Sequence, residues 1–210
     1  MSEEQDLREK LVMCMKTLHG RGLITGIGGN ASVRLGGTQE VLITPDALYK
    51  GDLKPTDVVK IDFYGNILEG VFKPSIEWHF HSAIYSKRSD VNAVIHAHSP
   101  MTTGLAIAGK KIEPVTPESA VMLGDVPILE FKCPGTAELG ELVGNNILGH
   151  RALILQNHGV IAVGSSIVDA LTTVEILEET STMMFVASHF GGAKPIRPDQ
   201  IELIKKSCKT

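Results

Sequence analysis

The chain has 210 residues, of which 43% are hydrophobic, and a formal net charge of -4. That is enough apolar material for one sizeable core, and the scattered Lys and Arg leave no basic face for a nucleic-acid partner. No apolar run is long enough to cross a bilayer, and the opening Met1-Ser2-Glu3-Glu4-Gln5-Asp6 is acidic where a secretory leader would be basic. Cys14, Cys133 and Cys208 are few and far apart, so the chain is expected to be cytoplasmic with reduced thiols and no membrane partner. No break in composition marks a linker, and residues 1–210 are expected to form a single domain.

In chain order, Leu7, Leu11, Met15 and Leu18 recur at helical spacing and predict a first helix over about 3–21. Short strands follow over about 31–35, 41–44 and 58–63, with Tyr64-Gly65-Asn66 as a turn. The loop Gly26-x-Gly28-x-x-Ala31 has the spacing of a dinucleotide-binding fingerprint. That fingerprint needs a strand before it and a helix after it, and here the order is reversed. Two readings stay open. Glycine-freed N–H groups with Asn30 as a further donor cradle an anion, or the loop is only a tight helix-to-strand turn.

Pro74-Ser75 predicts a helix start, with Ser75 as N-cap and Ile76, Phe80 and Ile84 along its apolar face. Glu77 then falls in the first turn. A carboxylate is favoured there by the helix dipole, and one placed beside a metal can also exchange a proton with a substrate. His79 and His81 read as helix-surface residues, although Glu77 and His81, four apart, also form a possible ligand pair.

Val91-Asn92-Ala93-Val94-Ile95 is β-branched and apolar and predicts a buried strand running into His96-Ala97-His98. Side chains two apart leave a strand on the same face, so both imidazoles can point at one ion. His158 lies between apolar runs, at a polar break with a glycine, and is the natural third ligand. Three imidazoles with an open position suit zinc, and the affinity order also admits another divalent transition metal. Further elements are expected as a helix near 101–108, a strand near 126–130, a helix capped by Thr136 to about 148, strands flanking His158 and a long helix from Ser166 to about 189. The tail after Gly191 is expected to be a loop with one last short helix, ordered against a neighbouring subunit.

Five segments in order carry a resemblance: Gly26-Ile27-Gly28-Gly29-Asn30-Ala31-Ser32-Val33-Arg34, Leu42-Ile43-Thr44-Pro45, Pro74-Ser75-x-Glu77-Trp78-x-Phe80-His81, Ala93-Val94-Ile95-His96-x-His98 and Leu155-Gln156-Asn157-His158-Gly159. The chain resembles the class II aldolase/adducin family over nearly its whole length. The resemblance implies an α/β fold of three α/β/α layers around a central, largely antiparallel sheet. It implies zinc held by His96, His98 and His158, and Glu77 as the acid/base carboxylate. Gly28, Gly29, Asn30, Thr44 and Ser75 would hold the substrate's phosphate. The implied activity is reversible cleavage of a ketose 1-phosphate of the L-fuculose type to dihydroxyacetone phosphate and a small aldehyde such as lactaldehyde, in a homotetramer with interfacial sites.

Two departures limit that inference. After Pro45 the aldolases usually carry Thr-Gly or Ser-Gly, and a second serine precedes their glutamate; this chain has Asp46-Ala47 and Ile76. An aspartate repels a phosphate, and isoleucine offers no hydrogen-bond donor. The aldolases also supply a tyrosine for the aldehyde oxygen, whereas no tyrosine follows Tyr85 here. Glu118 or Thr116 is the nearest substitute, with a plain surface role for Glu118 equally open. A decarboxylase, which needs no acid at the aldehyde end, and a pentulose-phosphate 4-epimerase are therefore rivals, as is a non-catalytic adducin-like binding module.

Overall fold

The computed structural model describes residues 2–207, so Cys208 and the expectation for its thiol lie outside the described residues. Helix α1 (Glu3–Gly20) opens where the Ser2 side chain accepts from the Gln5 N–H, with Glu3, Glu4 and Asp6 favoured by the dipole of its first turn. Its Leu11, Met15 and Leu18 are fully buried. Among the described residues the strands are β1 (Asn30–Arg34), β2 (Glu40–Ile43), β3 (Val59–Asp62), β4 (Ile67–Glu69), β5 (Ala93–Ala97), β6 (Ile128–Leu129), β7 (Ala152–Leu155) and β8 (Gly159–Gly164). The remaining α-helices among the described residues are α2 (Trp78–Lys87), α3 (Pro100–Ile107), α4 (Pro117–Met122), α5 (Ala137–Asn146), α6 (Ile167–Ser188) and α7 (Pro198–Ser207).

One eight-stranded sheet runs in the order β4-β3-β2-β1-β5-β8-β7-β6, and only the β6–β7 pair is parallel. Helices cover both faces of its centre, which is why β5, β7 and β8 are buried at every position. Alternation splits their side chains between two cores. Ala93, Ile95 and Ala97 join Leu11, Met15, Leu18, Val174 and Leu177 beneath α1 and α6, while Val94, Ile161 and Val163 meet Phe80, Ile84, Tyr85 and Val143 beneath α2 and α5. The expected three-layer, largely antiparallel α/β arrangement is therefore present.

The local differences have physical reasons. The helix after Pro74 starts at Trp78, and Glu77, not Ser75, takes the N-cap position, without a capping side-chain bond. Pro74 bridges Pro45 and Ser75 N–H donates to the Thr44 carbonyl, so Pro74 and Ser75 stay along the end of β2, and Ile76 and Glu77 make a turn, closed by the Trp78 N–H on the Ser75 carbonyl, before the helix begins. Ser75 Oγ accepts from the Glu77 N–H instead of capping the helix. Strand β4 and helix α4 are additions to the sequence-based assignment; β4 is exposed throughout and lacks any buried face to give it a pattern.

Candidate metal centre

The end of β5 and the β7–β8 hairpin build the site. His96 is the fourth residue of β5 and is fully buried, and His98 lies one residue past the strand. His158 is carried by the turn Gln156-Asn157-His158-Gly159, in which Asn157 takes a left-handed φ of 59° and the His158 N–H donates to the Leu155 carbonyl at 3.1 Å. Asparagine tolerates that conformation better than most residues. Gly159 must be glycine for space, since a Cβ there would stand 2.3 Å from the Ala97 carbonyl oxygen and 3.1 Å from the His96 ring. Gly28 likewise makes room, because its Cβ would meet the His98 ring at 2.8 Å.

The three rings converge. One nitrogen from each of His96, His98 and His158 falls within 4.8 Å of the others, and the ring centroids are 4.6 to 5.5 Å apart. His96 Nδ1 lies 2.9 Å from the Val160 carbonyl, an acceptor, so Nδ1 carries the proton and the Nε2 lone pair faces inward. His98 Nε2 is 3.1 Å from that nitrogen. Burial, aided by His98, pushes His96 down to about 3 against the pull of the Val160 carbonyl. Burial also lowers His98, and burial with His96 beside it takes His158 down to about 4. The rings are thus neutral at ordinary pH, the form a metal requires.

Glu77 closes the group from the start of α2. Its Oε2 is 3.4 Å from His96 Nε2, and its Oε1 is 3.5 Å from His158 Nε2. Oε1 is buried with no hydrogen-bond donor. An unpaired buried acceptor typically costs about 1–3 kcal/mol, more for a charge, and inward-facing imidazole lone pairs beside a carboxylate are a donor set that a divalent cation would satisfy. The residues present therefore fit a metal ion.

The cleft in front, of about 160 Å³, is lined by Gly28, Gly29, Asn30, Ser75, Glu77, His98 and His158 among the expected residues. Thr44 is not with them. It is fully buried and its hydroxyl accepts from the Ala31 N–H at 3.1 Å, holding the end of β2 against β1, which corrects its expected place at the phosphate. Thr116 is spent on capping α4 in a reciprocal pair with Ser119, and Glu118 is exposed and outside the cleft lining. Asp46 does line it. So does Lys50, which sequence reasoning passed over: it is 1% exposed, its Nζ donates to the Pro45 carbonyl at 2.7 Å, and burial pushes its pKa down to about 8 although Asp46 pulls the other way. A lone lysine after a loop tyrosine carries no sequence signal for such burial.

His81 is the larger correction. It is fully buried, with Nε2 2.6 Å from Asn30 Oδ1 and Nδ1 2.6 Å from Ser32 Oγ, and burial pushes it down to about 3. It is no helix-surface residue, and both ring nitrogens are engaged away from the three histidines.

The family profile described as "Class II Aldolase and Adducin N-terminal domain" matches residues 9–185. An L-fuculose phosphate aldolase of Methanocaldococcus jannaschii is 35% identical over 85% of this chain and 94% of its own. A 3-oxo-tetronate 4-phosphate decarboxylase of Haemophilus influenzae is also 35% identical, over 85% of this chain and 86% of its own. Among solved structures, an L-fuculose 1-phosphate aldolase superimposes with a TM-score of 0.91 at 32% identity, covering 100% of this chain and 98% of that one. With the fold, the histidine cluster and the sequence in agreement, the chain belongs to the class II aldolase/adducin family, whose aldolases are metal-dependent lyases.

Proposed function

We propose that this chain is a zinc-dependent aldehyde-lyase that cleaves a ketose 1-phosphate of the L-fuculose type, reversibly, to dihydroxyacetone phosphate and a small aldehyde such as lactaldehyde. The observation that carries the reading is the convergence of three neutral imidazoles on a buried carboxylate with one unpaired oxygen. His96, His98 and His158 would hold the ion. When bound, a divalent cation supplies Lewis acidity, drawing electron density from the substrate's carbonyl and neighbouring hydroxyl oxygens.

The chain's own groups do the rest. Glu77, protonated, hands its proton to the carbon left carbanionic when the carbon–carbon bond breaks, and in the addition direction its carboxylate takes that proton back. Gly28, Gly29, Asn30 and Ser75 border the position where backbone N–H and side-chain donors would meet the phosphate. The hydroxyl proton released at the aldehyde end passes to water or to a group from a neighbouring copy, because no tyrosine of this chain lines the cleft. Ile27 and Ile76 stand at the cleft while 66% and 54% exposed, which suits a homotetramer whose next subunit covers them.

That missing tyrosine, with Asp46 in the cleft, favours one second reading: decarboxylation of a phosphorylated β-keto acid, the activity named for the Haemophilus relative. Turnover of ketose 1-phosphates, pentulose 5-phosphates and β-keto acids by fully zinc-loaded protein separates the cases. Aldehyde release from a ketose 1-phosphate supports the first; carbon dioxide release alone overturns it. The native mass measured by light scattering, against 22.6 kDa for one chain, tests the assembly.

A further inference from the structure

Behind Glu77 and Asn30 runs a continuous polar chain whose far members, His81, Ser32 and Tyr85, the proposed chemistry does not use. Asn30 Nδ2 donates to Glu77 Oε2 at 2.8 Å. Asn30 Oδ1 is 2.6 Å from His81 Nε2, His81 Nδ1 is 2.6 Å from Ser32 Oγ, and Ser32 Oγ is 2.8 Å from the Tyr85 hydroxyl. All five residues are buried, from 6% exposed at Glu77 to 0% at His81 and Ser32. They also sit on rigid elements: Asn30 and Ser32 are two apart on β1, and His81 and Tyr85 are four apart on α2.

With Glu77 ionised, every proton in this chain has one place. A carboxylate only accepts, so the Asn30 amide must present its NH2 to Glu77 and its oxygen to His81. Nε2 of a neutral, buried His81 must then carry the ring proton, which leaves Nδ1 to accept from Ser32. Ser32 has spent its only proton and accepts from Tyr85. Four donors point the same way, from Tyr85 toward the carboxylate.

We propose that His81, backed by Ser32 and Tyr85, is a positioning residue that locks the Asn30 amide in one orientation, so that Glu77 is held through Oε2, beside His96, with Oε1 left unbonded beside His158. His81 touches neither substrate nor ion and acts only through Asn30. The proposal rests on Glu77 being the acid/base group of the function proposed above.

Two measurements on zinc-loaded protein test it. In the first, His81→Leu leaves the Asn30 oxygen without a donor. The expected loss is in kcat, roughly 10- to 100-fold, the usual scale for removing the support of an active group, with KM and zinc per chain unchanged. His81→Gln, which offers an N–H in the same place, recovers most of it. Tyr85→Phe, which removes the far end of the chain, loses less than His81→Leu and serves where that variant does not fold. Wild-type kcat in His81→Leu, or equal losses of kcat, KM and zinc in all three variants, overturns the assignment.

The second needs no turnover. Nitrogen NMR of 15N-histidine-labelled protein is expected to show His81 as the neutral Nε2–H form, with a bare Nδ1 whose shift moves in Ser32→Ala. A proton on Nδ1 reverses the chain and overturns the proposal even if no substrate is found. If the wild type turns over none of the substrates screened, the functional reading fails while this signal still decides the role of His81.

Discussion

Glu77 is fixed by Asn30 on one oxygen and unbonded on the other, and this asymmetry suits the proton-transfer role proposed for it. Glu77→Gln keeps the size and the acceptor for Asn30 but cannot carry a proton. The expected result is full zinc occupancy by elemental analysis with kcat reduced about 10²- to 10⁴-fold, the range for losing a general acid/base. Full turnover in that variant removes Glu77 from the reaction. A second residue-scale expectation concerns Ala47, which holds a left-handed φ of 53° where the aldolases usually place glycine. An alanine costs about 1–2 kcal/mol there, partly offset by the freer unfolded chain that glycine gives. Ala47→Gly should therefore stabilise by roughly 0.5–1 kcal/mol, seen as a melting point higher by about 1–4 °C. A lower melting point would show that the loop relies on the methyl group.

The elements that sequence reasoning placed well are those with a strong period or cap: α1, the β5 strand into His96-Ala97-His98, the Thr136 cap and the 22-residue α6 from Ser166. The elements it missed lack such a signal. Strand β4 is exposed at all three positions, and the start of α2 is set by a bridge between Pro45 and Pro74 that no local pattern encodes. His81 was hidden because a polar residue on a helix reads as surface until β1 is known to present Asn30 and Ser32 to it. The segment from Pro45 to Lys50 was illegible for the same reason, since its lysine is turned inward by the loop's own carbonyl. That burial has a consequence for stability. With the folded pKa near 8 and an unfolded value of about 10.4, the unfolded chain binds more protons between those limits, so Lys50's contribution to stability rises with pH there. Below about 8 the cost of burying the charge is present in full. The melting-point difference between the wild type and Lys50→Met should shift toward the wild type from about pH 7.5 to about pH 10.5, and a constant difference would mean that the ammonium is solvated.

At the scale of the whole molecule, the histidine cluster joins parts of the fold that are far apart in the chain. Glu77 precedes α2 on one face, His96 comes from the central strand β5 and His98 from just past its end, and His158 hangs from the β7–β8 turn. A cation held by the three histidines binds the folded state and not the unfolded one, so it must raise stability by mass action. At a free zinc concentration 100-fold above its dissociation constant the gain is about 2.7 kcal/mol. For a chain of this length each kcal/mol moves the melting point by about 2–4 °C, so zinc should raise it by roughly 5–10 °C over protein treated with chelator. His158→Ala removes one ligand without touching either core, and its melting point should respond far less to the same zinc. An equal rise in that variant would place the ion elsewhere on the molecule, and no rise in the wild type would leave the three imidazoles without a cation to share.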